Sequence, residues 1–201
     1  EKKKFIYLTQ LKITIMKKQI ITFFVLIATA VTMNAQKTVA GVKVDDKLSI
    51  EGQNLVLNGV GTRVKLFMDM YVGALYLEKK STNANEIMAS KDGAAIRLTI
   101  VSGLISSDKM IDAVTEGFEN STGGKTAPLK SKIDKFISFF KDEIKKGDVF
   151  TMVNTESGVV VYKNNTKKGV IEGNDFKKGL FGIWLSAKPA DKNLKKAMLG
   201  Q

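Results

Sequence analysis

The period of the apolar positions changes several times along the chain, and each change marks an element. From residue 37 the pattern is extended. Residues 37–44 are β-rich and stop at Asp45-Asp46, while Leu48-Ser49-Ile50 is short and ends at Gly52. Residues 55–67 read as a longer strand whose glycines, Gly59 and Gly61, permit a bulge or a close approach. A turn near Met68-Asp69 leads into a strand over 70–78, rich in Tyr, Val and Leu. Ser81-Thr82-Asn83 introduces a short helix over 85–90, and 94–101 returns to a strand. Helical spacing then takes over: Met110, Ala113, Val114, Gly117 and Phe118 follow a candidate N-cap at Ser106 or Ser107 and run to Gly123-Gly124. A second helix is predicted over 129–145, with Ile133, Phe136, Ile137, Phe140 and Ile144 on one face and lysines opposite, until Gly147-Asp148 stops it. Three strand-like runs, 149–154, 158–163 and 169–172, are separated by turn residues as in a meander. The last helical region opens at Asn174 or Asp175 and carries Phe176, Leu180, Phe181, Trp184 and Leu185. It breaks at Pro189 and ends in an amphipathic tail with Leu194, Ala197 and Met198. This order predicts one α+β domain over 36–201, an antiparallel sheet backed by a helical layer.

The segment before it reads as an address. Met16-Lys17-Lys18-Gln19 precedes an apolar run over 20–31 and a small residue at Ala35. A positive start, an apolar core of about a dozen residues and a small residue at the end make a secretory signal peptide over 16–35, cleaved after Ala35. The run is shorter than the roughly 20 apolar residues that span a bilayer. No cysteine stands at the junction to take a lipid anchor. Residues 1–15 read as an upstream extension, because Met16 begins the leader so cleanly. The expected destination is a periplasm, with release from the cell as the alternative.

Composition removes several chemistries. The 201 residues include no cysteine and no histidine. A thiolate nucleophile, a disulfide, a Cys/His zinc site and a Ser-His-Asp triad are therefore excluded. Charge narrows the partners. The chain carries +12, of which residues 1–35, with six lysines and one acid, hold +5, leaving +7 on the remainder. Its lysines are dispersed, often in pairs such as Lys79-Lys80 and Lys167-Lys168. Neither a long basic run nor an aromatic-basic motif points to nucleic acid. A lysine-rich solvated surface is the expectation, with at most a weak attraction to anionic lipid head groups.

One pair carries candidate chemistry. Arg63 lies in a largely apolar strand, where a guanidinium needs a partner or a wet cleft. Tyr71 is eight residues on, across a plausible hairpin, so the two side chains can converge. An arginine grips a carboxylate through two parallel N–H donors, and a phenol adds a third hydrogen bond. An apolar cavity ending in such a pair suits a fatty acid or another amphipathic acid. The alternative is structural, with Arg63 paired to an internal carboxylate and Tyr71 capping a core. Gly59-Val60-Gly61 is no dinucleotide fingerprint, since the third glycine and the following helix are missing.

Residues 58–80, in which Gly59-Val60-Gly61-Thr62-Arg63 precedes a strand ending in Tyr76-Leu77-Glu78, resemble the chalcone isomerase family. The closing stretch from Gly179 to Leu185 and then Lys188-Pro189 is similar to that family's last helix, and the likeness extends over about 37–200. The resemblance implies an open-faced β-sandwich, a large antiparallel sheet with helices on one face, and no cofactor. It also implies a choice between catalytic isomerases and fatty-acid-binding relatives. Arg63 matches the isomerases' arginine. Tyr71 stands where they use a threonine and is similar instead to the fatty-acid-binding branch. The isomerases' helical Tyr and Asn fall at Ser106 and Ala113, and their late Ser/Thr near Gly182. Those departures imply that chalcone cyclisation is lost. Three readings stay open: a binding module in which Arg63 and Tyr71 hold a carboxylate; an isomerase or intramolecular lyase in which Arg63 steadies an oxyanion; and a structural envelope protein.

Overall fold

The structure, a computed structural model, describes Lys2 and residues 37–201. The expected upstream extension 1–15, apart from Lys2, lies outside the described residues, as do the expected leader 16–35 and its cleavage point. Two short strands, β1 (Lys37–Val39) and β2 (Val42–Val44), form a ribbon of their own. Seven more form one antiparallel sheet in which neighbours in sequence are neighbours in space: β3 (Lys47–Ile50), β4 (Gln53–Lys65), β5 (Met68–Leu77), β6 (Ala94–Ile100), β7 (Val149–Thr155), β8 (Gly158–Lys163) and β9 (Thr166–Ile171). Among residues 37–201 five α-helices accompany it: α1 (Ala84–Ala89), α2 (Ser107–Thr122), α3 (Lys130–Ser138), α4 (Asn174–Leu185) and α5 (Lys192–Met198).

Strand alternation divides the core. On β5, Tyr71, Leu75 and Leu77 join the cluster that the helices cover, while Val72, Ala74 and Tyr76 join a smaller one on the opposite face. The first cluster is the main core, where Phe118, Phe136, Phe176 and Phe140 meet largely edge to face. The second is closed by Val44 and Leu48, with Val39 and Val42 of the ribbon packed against it. Helix α4 is apolar nearly all round because it is surrounded, with α1 and α2 on its flanks. Its buried lysine, Lys177, is 1% exposed and donates from Nζ to the carbonyls of Ile87, Met88 and Ser90, which closes the C-terminal end of α1. Burial pushes that ammonium down to about 8 from 10.5.

Three expectations are corrected. The strand expected over 37–44 is a hairpin, because Ala40 and Gly41 both take positive φ and reverse the chain. The helix expected over 129–145 stops at Ser138. There Phe139 and Phe140 hydrogen-bond to residues three back, and the tightened turn carries both rings inward. The turn expected near Met68-Asp69 lies two residues earlier, at Leu66-Phe67, with Lys65 paired to Met68.

Candidate functional site

Row by row along the helical face, β4 presents Gly59, Gly61 and then Arg63, while β5 presents Gly73 and Tyr71. Helix α5 lies on the three glycines. A Cβ on Gly59 would fall 2.0 Å from the Ala197 carbonyl oxygen, and one on Gly61 would fall 2.6 Å from the Ala197 Cβ. Gly73 sits under Leu194 at 3.2 Å by the same measure. The Gly-Val-Gly element is thus a saddle for the C-terminal helix. Asn58, an extra residue where the register slips, fastens it: the side chain accepts from the Ser81 amide and donates to the carbonyls of Ser81 and Met198, each at 2.9 Å. Beyond the saddle, Arg63 and Tyr71 stand directly opposite each other in the β4–β5 register.

A second register slip follows at once. Arg63 pairs with Tyr71 but Val64 pairs with Asp69, so Met70 is the extra residue on β5. This bulge lets Met70 and Tyr71, adjacent in sequence, line the same cavity. That cavity has a volume of about 360 Å³ and is partly open to solvent. Arg63, Met68, Met70 and Tyr71 form one wall, and Leu104, Ile105, Met110 and Ala113 face them from the β6–α2 loop and α2. The walls are mostly apolar and rich in methionine, which adapts to irregular apolar shapes. Lys65, Lys109, Asp112 and Glu116 are exposed at its edges.

The two sequence candidates are therefore brought together. The Arg63 guanidinium carbon lies 5.7 Å from the centre of the Tyr71 ring. Arg63 is half-buried, and no acid among the described residues comes within ion-pair distance of it. The nearby Asp191 is occupied elsewhere, accepting from the amides of Asn193 and Leu194 at the start of α5 and from that of Val64. Tyr71 is 3% exposed, and its oxygen accepts a hydrogen bond from Trp184 Nε1 at 2.9 Å. Burial pushes its hydroxyl above the ordinary tyrosine value. The Arg63 charge and the Trp184 donor pull against that rise, and Asp191 adds to it. At neutral pH the phenol is a donor whose lone pair is already engaged, and its proton has no acceptor among the described residues. Arginine and phenol together offer N–H and O–H donors at one end of an apolar space.

Of the positions that the resemblance aligns with the isomerases' other groups, Ala113 lines the cavity, whereas Ser106 and Gly182 are not among its lining residues. Ser106 caps α2 by accepting from the Lys109 amide, Ala113 lines the cavity without a polar atom, and Gly182 packs against Ser121 inside the helical layer. Sequence reasoning missed Trp184 as part of the site. The chain's single tryptophan in an apolar helix must find an acceptor for its N–H, and that requirement was the available signal.

A crystal structure of a fatty-acid binding protein from Arabidopsis thaliana is similar in fold, with a TM-score of 0.64 at 18% identity over 80% of this chain and 92% of that one. No curated protein matches the chain. Residues 36–200 match the model of a family described as chalcone isomerase-like. With the sheet, the one-sided helical layer and a family match over most of its length, the chain belongs to the chalcone isomerase-like family.

Proposed function

We propose that the protein binds a fatty acid or a similar amphipathic carboxylate, with the head group between Arg63 and Tyr71 and the chain along the methionine-lined walls. The observation that carries this reading is a half-buried guanidinium without an acidic partner among the described residues, facing a neutral phenol at the end of an apolar cavity. A buried or half-buried cation left without a counter-charge is costly, and a carboxylate ligand would supply one. The similarity to a fatty-acid binding protein supports the same ligand class. The volume falls at the lower end of the range of about 300–1,000 Å³ typical of small-molecule sites. Catalysis of chalcone cyclisation is not part of this reading, since Ala113 and Gly182 contribute no side-chain donor.

Native mass spectrometry of protein purified from its producing cells tests it. Wild type should carry acyl chains. Arg63→Ala should stay folded and lose them, with affinity for a fluorescent fatty acid reduced on the order of 100-fold, as for loss of one member of a desolvated charge pair. Equal acyl loads on wild type and variant would refute the head-group assignment. Chalcone turnover well above solvent background would replace binding with isomerisation. We also propose export through the leader at 16–35. The intact mass of the secreted form should place its first residue at Gln36.

A further inference from the structure

The β4–β5 hairpin ends in a turn that its residues do not favour. Leu66 and Phe67 make a two-residue loop with φ of 49° and 64°. Positive φ at both positions suits asparagine and glycine, whereas leucine and phenylalanine resist it. Both side chains also stand in water: Phe67 is fully exposed at 101% and Leu66 is 77% exposed. Val64, Met68 and, from the facing β6–α2 loop, Leu104 complete the group of large apolar side chains exposed among the described residues. Three of the five, Leu66, Met68 and Leu104, line the mouth of the cavity that ends at Arg63 and Tyr71, and Val64 and Phe67 are near them in sequence. A prominence that is both strained and greasy gains nothing for folding.

We propose that this tip docks on an anionic lipid bilayer, with Leu66 and Phe67 entering the head-group and acyl boundary and Leu104 following. Its shape is convex, as insertion into a soft interface requires, where a protein partner would need a matching groove. Charge favours the same surface. Lys65 directly precedes the tip, Lys109 stands beside Leu104 with its Nζ on the Leu104 carbonyl, and residues 36–201 carry +7. The acids of the neighbourhood sit behind Leu66 and Phe67 rather than on them: Asp69 is two residues past the tip, Asp108 directly precedes Lys109, Asp112 and Glu116 lie one and two turns beyond it on α2, and Asp191 is engaged by the amides of Val64, Asn193 and Leu194. Docking there would open the cavity mouth toward the lipid, and passage of an acyl chain between bilayer and cavity rests on the function proposed above.

The absence of cysteine allows a direct test. Phe67→Cys, labelled with an environment-sensitive fluorophore, is mixed with phosphatidylglycerol-rich vesicles and with pure phosphatidylcholine vesicles. The emission should shift to the blue with the anionic vesicles, much less with the neutral ones, and not at all for the same label at Glu156→Cys in the β7–β8 turn. The double variant Leu66→Asn/Phe67→Gly, whose residues suit the turn, should melt at or above the wild-type temperature while vesicle binding falls at least tenfold. A silent label at position 67 would overturn docking. So would a wild-type dimer that the double variant dissociates without any vesicle response, because the tip would then cover a second copy. Acyl loss in Arg63→Ala with a silent label sinks docking alone, whereas a responding label with acyl retained in Arg63→Ala sinks the head-group assignment alone.

Discussion

Replacing Gly59 by alanine adds a single methyl group where the structure has no room for one. The new carbon would fall 2.0 Å from the Ala197 carbonyl oxygen, 2.7 Å from that of Met198 and 2.8 Å from the Met198 carbonyl carbon. Real Cβ contacts essentially never fall below 3.0 Å, and all three atoms are backbone, so no side chain can swing aside. Helix α5 must therefore retreat by on the order of 1 Å, a change comparable to forced overpacking of a core at about 1–3 kcal/mol. The retreat also strains the 2.9 Å bond from Asn58 to the Met198 carbonyl and draws on the burial of Leu194 and Met198, which are 1% and 0% exposed. Full release of α5 would forfeit about 1.5–3 kcal/mol for each of those side chains. The expected loss is about 3 kcal/mol, read as a lower urea midpoint at unchanged slope. Gly103→Ala is the control: nothing lies within 4 Å of its added carbon, and its stability should stay within about 0.5 kcal/mol of wild type. A loss below about 1 kcal/mol for Gly59→Ala at constant slope would refute the saddle.

Other consequences can be measured on the same material. Lys177→Met leaves the carbonyls of Ile87, Met88 and Ser90 without their shared donor and should cost about 2–4 kcal/mol at pH 7 by urea unfolding. Because burial holds the folded ammonium near 8 while the unfolded one titrates near 10.5, the unfolded chain binds more protons between those values. The stability gap between wild type and Lys177→Met should therefore widen as pH rises through that window, and a constant gap would contradict the burial. Tyrosines act with the opposite sign. Burial pushes Tyr71 up and Tyr76 up to about 12, so the folded state keeps protons that the unfolded chain releases above 10, and their contribution to stability should fall as pH rises beyond that point. Tyr76→Phe should show the smaller alkaline loss in urea titrations. Trp184→Phe removes the donor to the Tyr71 oxygen and part of the core, and should lower stability by about 2 kcal/mol by circular dichroism.

Much of the scaffold was legible because its signals are local. A helix opening at Ser106 or Ser107 with Met110, Val114 and Phe118 on one face follows from spacing, the structure placing the cap at Ser106, and the meander β7–β9 follows from its turn residues. The approach of Arg63 to Tyr71 was legible too, because it needed only a hairpin between them. The tip of that hairpin was not. Leu66-Phe67 carries no glycine, asparagine or aspartate, so Asp69 attracted the turn instead. The slip at Met70 was equally hidden, since alternation assigns adjacent residues to opposite faces and only pairing reveals the extra one. Trp184 meets Tyr71 across 113 positions, a contact that no window along the chain contains. The purpose of Gly59 and Gly61 was half visible: a close approach was expected, but its partner, Ala197 on α5, lies at the far end of the chain.

The cross-strand pairing of Arg63 with Tyr71 has a bearing on selectivity. Two side chains fixed to paired strands travel as a single jaw, so under the proposed function they would distinguish an acid from an alcohol or an ester. The length of tail that such a site would admit would then depend on the opposite bank, on Leu104, Ile105, Met110 and Ala113. Relatives that exchange only residues 104–113 would then accept longer or shorter acids while keeping the same taste for a carboxylate, and the two properties would evolve separately.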